Sequence, residues 1–235
     1  MTAAPKKPVI GVVARALAVQ GRSRPFLGAF EPYLEAISSS GADPVIVPYG
    51  VQADTLILFD GVVFTGGDDP SRSEWWDNAR PASSQDHRRD AFEADVALLC
   101  REHQIPLLAI CRGAQLINGV MGGAMTSRAD LSNCDHGTDR EALHDVQIRP
   151  NSILWKALGS REKHMVLSRH SALIARLAPG LDATAWAPDG TIEAFEATEW
   201  PCIGVIWHPE WVGPNRAPDL ALFQWLVEAA RRRQS

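Results

Sequence analysis

The chain has 235 residues, room for one large α/β domain with a buried sheet and no need of a second. Its 46% hydrophobic and 22% charged residues exclude a disordered polyelectrolyte and a disulfide scaffold. A formal charge of -5 speaks against a protein built to grip phosphate backbones, so no nucleic acid partner is expected.

Pro8 to Ala14 is a short run rich in β-branched residues, which predicts a first strand buried on both faces. Phe30 to Ser40 reads as a helix with Tyr33, Leu34 and Ile37 on one stripe and Gly41 as its stop, and Asp43 to Pro48 as the second strand. Phe59 to Thr65 predicts a third strand, ending in the loop signal Gly66-Gly-Asp-Asp-Pro70. The polar stretch from Ser71 to Arg88 is expected at the surface. Asp90 with Glu93 resembles a capping pair that opens a helix running to about His103. Pro106 to Ile110 is the next strand and Arg112 to Met121 the next helix, followed by Gly122-Gly123.

Between Met125 and Lys163 the pattern is mixed, with a strand expected at Asp145 to Ile148 and a short helix near Leu154. Strands are expected again at Ala183 to Trp186, Ile192 to Phe195 and Cys202 to Trp207, and Leu220 to Arg231 reads as an amphipathic closing helix. Arg231, Arg232 and Arg233 suit the negative end of that helix. No apolar run is long enough to cross a bilayer, and the first residues lack a signal peptide's hydrophobic stretch, so no membrane and a cytoplasmic location are expected. Strands alternating with helices imply a three-layer α/β sandwich around a mostly parallel sheet, and such sheets gather ligands at the carboxyl ends of their strands. Gly66-Gly67, Cys111 and His208 all fall at such ends.

Ala109-Ile-Cys-Arg-Gly113 has the layout of a nucleophile elbow, with small residues two before and two after Cys111 permitting a sharp turn from strand to helix. The positive end of the helix behind it favours thiolate, the nucleophilic form. Cys100, Cys134 and Cys202 show no CxxC spacing and read as buried, inert residues. His208-Pro-Glu210 follows a strand, and in extended backbone residues two apart point the same way, so His208 can face the thiol while Glu210 orients the ring. Gly67 N–H and Arg112 N–H are the candidate oxyanion hole, of a kind whose donors are each worth about 3 kcal/mol of barrier.

Six segments carry a resemblance: Thr65-Gly-Gly-Asp-Asp69, Arg89-Asp-Ala-Phe-Glu93, Ala109-Ile-Cys-Arg-Gly-Ala-Gln115, Leu177-Ala-Pro-Gly-Leu181, Ala185-Trp-Ala-Pro-Asp-Gly-Thr-Ile-Glu193 and Trp207-His-Pro-Glu210. Together they resemble the class I glutamine amidotransferase-like superfamily and, within it, the γ-glutamyl-γ-aminobutyrate hydrolase (peptidase C26) family, over nearly the whole chain. The resemblance implies the flavodoxin-like class I glutamine amidotransferase fold in a single domain spanning 1–235. It also implies hydrolysis of a small-molecule γ-glutamyl amide by a triad of Cys111, His208 and Glu210, without cofactor or metal. Gly66, Gln115, Ser168 and His170 are the implied substrate-binding residues, and a homodimer is left open. The competing readings are a glutaminase subunit that passes ammonia to a synthase and a non-catalytic binding relative.

The departures lie on the substrate side. Where related hydrolases read Val-Asn-Ser-x-His-His-Gln, this chain reads Val166-Leu-Ser-Arg-His-Ser-Ala172, so Leu167, Ser171 and Ala172 replace polar residues. With Trp75 and Trp76 after the oxyanion glycines, these changes lead to the expectation of an apolar leaving-group pocket and an aromatic or alkyl amine. His136 and His144 lie in the unplaced segment, where a metal pair is the minority reading.

Overall fold

The computed structural model describes residues 6–18, 20–21, 23–77, 86–127, 134–138, 140–211 and 220–234. The first half is built from β1 (Val9–Val13), a β2 (Arg15–Leu17) and β3 (Phe26–Gly28) hairpin, α1 (Glu31–Ser39), β4 (Asp43–Val47), α2 (Ala53–Leu56), β5 (Gly61–Phe64), α3 (His87–Glu102), β6 (Leu107–Ile110) and α4 (Arg112–Val120). The second half adds β7 (Ala124–Ser127), β8 (Ala142–Ile148), α5 (Ile153–Ala157), β9 (Lys163–Ser168), β10 (Ala172–Arg176), β11 (Leu181–Trp186), β12 (Ile192–Ala197), β13 (Cys202–Val205) and α6 (Leu220–Gln234). Nine strands form one sheet in the order β4-β1-β5-β6-β13-β12-β11-β8-β9. The pairings from β4 to β13 are parallel and those from β13 to β9 antiparallel, so within this sheet only β12 and β8 run against the rest.

The period of two along each strand sorts the core into two layers. Ile10, Val12, Val63, Leu108, Ile110, Ile203 and Val205 face α1, α5 and α6, while Val13, Val62, Phe64, Leu107, Ala109 and Cys202 face α2, α3 and α4. Because strands of the parallel half are apolar on both faces, their sequences read as continuous runs, and this is why they were legible as a parallel core.

Two expectations need correction. The helix expected to open on an Asp90 and Glu93 cap instead begins at His87, where the Asp86 side chain accepts from Arg89 N at 3.1 Å. The stretch from Ser71 to Arg88 is not all surface: Ser73–Trp75 forms a 3-10 turn, and Trp75 and Trp76 are buried against the layer that holds α3 and α4. Residues 78–85 of that stretch lie outside the described residues.

Candidate active site

Phe64, Ala109 and Val205 sit near matching ends of adjacent parallel strands, so the residues that follow them emerge on one edge. Cys111 is the hinge between β6 and α4, at φ 51° and ψ -109°. A non-glycine residue at positive φ stores of the order of 1–3 kcal/mol of strain, which persists where the surroundings over-determine it. Here Cys111 N donates to Val205 O at 2.7 Å, and Gly113 lets α4 lie directly on β5, since a Cβ there would come within 2.7 Å of Phe64 Cβ and 2.9 Å of its carbonyl oxygen.

His208 N donates to Leu167 O at 2.8 Å, which sets the ring beside the thiol. His208 Nδ1 is 2.7 Å from Glu210 Oε1, and the ring is within hydrogen-bonding reach of Cys111. Burial alone would lower the imidazole's affinity for a proton, but the charge of Glu210 and then that of Cys111 outweigh it and hold His208 well above the ordinary histidine range. Gly66 is required here for space: a Cβ would stand 2.8 Å from His208 Cε1.

Gly67 has φ +151°, and the loop that carries it is fixed from beneath. Arg89 donates through Nη2 to Thr65 O at 2.7 Å and through Nη1 to Gly66 O at 3.1 Å, and through Nε to Glu93 Oε1 at 2.8 Å. Glu93 and Asp90 in turn pair with the Arg112 guanidinium, all of them buried. The Arg112 side chain therefore points into this network, and only its backbone N–H, in the unpaired first turn of α4, is suited to an oxyanion.

Sequence reasoning placed Tyr33 on a core stripe and missed what its hydroxyl does. That hydroxyl accepts from Gly66 N at 2.9 Å, and burial and then the charge of nearby Glu210 push it well above the usual tyrosine range. A phenol on an otherwise apolar helix face was the available signal, because a buried hydroxyl must find a partner.

A cavity of about 460 Å³ opens at this edge, and Gly66, Gly67, Cys111, His170, His208 and Glu210 are on its wall. Of the other implied binding residues, Gln115 and Ser168 are buried and do not line it: Gln115 Nε2 donates to Ala172 O at 3.2 Å, and Ser168 Oγ to His136 O at 3.0 Å. The expected apolar character from Trp75 and Trp76 is not found. Trp75 packs against Gly119 and Trp76 Nε1 donates to Pro70 O at 3.2 Å, away from the cavity, whose wall combines Phe30, Leu167 and Trp211 with Arg15, Asp69, Glu141 and Arg169. Ser171 lines it too and donates to Asp69 Oδ2 at 3.2 Å, while Ala172 is buried. Cys100 and Cys202 are buried as expected, and burial pushes their thiols up.

Solved structures share this architecture. The glutaminase domain of Trypanosoma brucei CTPS, with bound acivicin, is 16% identical with a TM-score of 0.69, covering 96% of this chain and 94% of that one. A glutamine amidotransferase from Thermotoga maritima is 12% identical with a TM-score of 0.62, covering 87% and 77%. The fold is thus that of class I glutamine amidotransferase domains. The peptidase C26 family model matches residues 8–210, and the chain belongs to the peptidase C26 family. Protein NtpR of Enterococcus hirae is 28% identical over 83% of this chain and 87% of its own. The γ-glutamyl-γ-aminobutyrate hydrolase PuuD of Escherichia coli is 27% identical over 95% and 94%. Membership makes this protein a hydrolase of the glutamine amidotransferase-like type. Among the described residues no helix is long and apolar enough to cross a membrane.

Proposed function

We propose that the protein hydrolyses a γ-glutamyl amide to glutamate and a free amine through a thioester on Cys111. The observation that carries this reading is the convergence of Cys111, the His208 and Glu210 pair, and the Gly66-Gly67 loop on one cavity wall. The Cys111 thiolate attacks the γ-carbonyl carbon, and the resulting oxyanion accepts from Gly67 N–H and Arg112 N–H. As the C–N bond breaks, the imidazolium of His208 gives its proton to the departing amine. His208 then takes a proton from water, whose oxygen attacks the thioester and returns the thiol as glutamate leaves. Glu210 keeps the ring oriented throughout.

Gly66 and the ring of His170 border the glutamyl group in this reading, while Gln115 and Ser168 support the wall from behind. Phe30, Leu167 and Trp211 beside Arg15, Glu141 and Arg169 suit an amine that carries both an apolar and a polar part, in place of the aromatic or alkyl amine expected from Trp75 and Trp76. The similarity to PuuD supports an amide of this class.

The test is release of glutamate by the purified chain from a panel of γ-glutamyl amides, glutamine included. Turnover without any added protein is expected, with γ-glutamyl amides of larger amines favoured over glutamine. Activity on glutamine alone that appears only with a synthase present would point to an ammonia-donating subunit. A Cys111 that resists a diazoketone analogue of glutamine would point to a binding protein.

A further inference from the structure

Behind the wall that carries His170, three histidines surround one carboxylate that the mechanism above does not use. Glu193 on β12 is fully buried, and its Oε1 lies 2.9 Å from His136 Nδ1, 3.3 Å from His170 Nε2 and 3.9 Å from His144 Nε2. The ring centroids of His144 and His170 are 4.8 Å and 4.9 Å from that of His136. All four atoms, with Glu193 Oε2, are buried without an aligned hydrogen-bond partner among the described residues, although His136 Nδ1 is close enough to Glu193 for one.

The outward nitrogens explain why this arrangement is anomalous. His170 Nδ1 is 3.1 Å from Ala172 O and His144 Nδ1 is 3.2 Å from Asp145 O; a carbonyl only accepts, so each Nδ1 carries the proton. The Nε2 of each ring then presents a lone pair to Glu193, itself acceptor-only when ionised. Lone pairs and carboxylate oxygens facing one another in a dry space need a cation between them. A proton on His136 would set one imidazolium between Glu193 and Asp189 but leave the Nε2 lone pairs of His170 and His144 facing Glu193. The surroundings are those of a metal site: His136 Nε2 is 2.9 Å from Asp189 Oδ2, the pairing that fixes a ligating histidine, and the two carbonyls do the same for its neighbours.

From this geometry we infer that His136, His170 and Glu193, whose ligand atoms lie within 4.8 Å of one another, form a binding site for a divalent first-row ion that prefers nitrogen and oxygen donors, with zinc the best fit. Tetrahedral zinc with donors at about 2.0–2.1 Å holds its ligand atoms about 3.3 Å apart, close to the 2.9 Å and 3.3 Å that separate Glu193 Oε1 from His136 Nδ1 and His170 Nε2. The ion takes the Nδ1 lone pair of His136, so binding competes with protons for that nitrogen. The ion ties β12 and the segment before β8 to the loop after β9, and that loop sets Arg169 O 3.9 Å from Cys111 Sγ and Ser171 against Asp69. Its role is structural, stiffening the wall beside the nucleophile. The fourth position is left to a water.

The experiment titrates the full-length chain carrying Cys111→Ser, stripped with chelator, with Co²⁺ followed by visible absorption and with Zn²⁺ in competition against a chromogenic chelator. One equivalent of zinc with a Kd below about 1 μM, tetrahedral cobalt bands and a rise in Tm on loading are expected. Glu193→Gln and His136→Gln, checked for folding by circular dichroism, should each weaken binding by about a hundredfold or more. No binding by the parent chain overturns the inference. Cys134 also lies within reach of His136 and His144. Affinity that survives Glu193→Gln, or a thiolate-to-cobalt charge-transfer band, overturns this donor set. If either variant fails to fold, cobalt-induced paramagnetic shifts of the His136 and His170 rings in the parent chain decide the matter, and their absence overturns the site.

Discussion

His208 keeps its proton against the cost of burial because Glu210 lies 2.7 Å from Nδ1 and Cys111 within reach of the ring, and a pH profile can separate these influences. The thiolate and imidazolium pair exists only while His208 is protonated, so the alkaline limb of kcat/KM reports the loss of that proton. Glu210→Gln removes the largest charge opposing desolvation, which lowers His208's proton affinity and should move the alkaline limb to lower pH. A limb that stays in place or moves upward would contradict the assignment. Cys111→Ala should reduce glutamate release by at least about a hundredfold, measured at saturating substrate, because no other group on the cavity wall can form the thioester. Tyr33→Phe takes the acceptor from Gly66 N, in the loop that carries the oxyanion donor, and about a tenfold fall in kcat is expected with KM little changed. Equal falls in kcat for Tyr33→Phe and for a substitution elsewhere on the same helix would show that its hydroxyl has no part in positioning that loop.

The elbow between β6 and α4 shows how an element imposes chemistry on a residue. Gly113 allows α4 to start against Phe64, so Gly113→Ala must push a Cβ into a backbone carbonyl that cannot yield. A loss of about 1–3 kcal/mol in urea unfolding is expected, together with reduced activity as Cys111 shifts. This junction was legible in sequence because its requirements are local: a small residue on either side, a strand before and a helix after. The same holds for the parallel strands, whose apolar runs announce burial on both faces. The antiparallel half was harder to read. In β9 (Lys163–Ser168), at the sheet edge, Lys163 and Met165 are exposed and only Val166 and Ser168 are buried, so its exposed positions hide the strand, and the short β2 and β3 hairpin has little apolar signal. Of the histidine cluster, sequence paired only His136 with His144 and left Glu193 out, for another reason. His136 and Glu193 are 57 positions apart, and only the return of β12 beside β11 and then β8 brings them together.

Across the whole molecule, the layer under the cavity depends on a charge network that joins three segments: Arg89, Asp90 and Glu93 on α3, Arg112 at the head of α4, and the Thr65 to Gly67 loop after β5. Sequence reading took Asp90 and Glu93 for a helix cap because both roles place acids in a helix's first turns; what distinguishes them is a partner supplied from 19 or more positions away. Two buried guanidiniums share these two carboxylates, so the charges balance only while all four remain. Glu93→Ala leaves positive charge uncompensated in a dry layer, and about 3–5 kcal/mol of stability should be lost in denaturant unfolding. Its effect on activity should exceed the fraction unfolded, because Arg89 is also what holds the Thr65 and Gly66 carbonyls and so aims Gly67 N–H at the oxyanion. Glu93→Gln keeps the shape and one acceptor, and should fall between the two. Full activity in a folded Glu93→Ala protein would mean that the loop holds its geometry without the arginine, and the oxyanion donors would then have to be sought elsewhere.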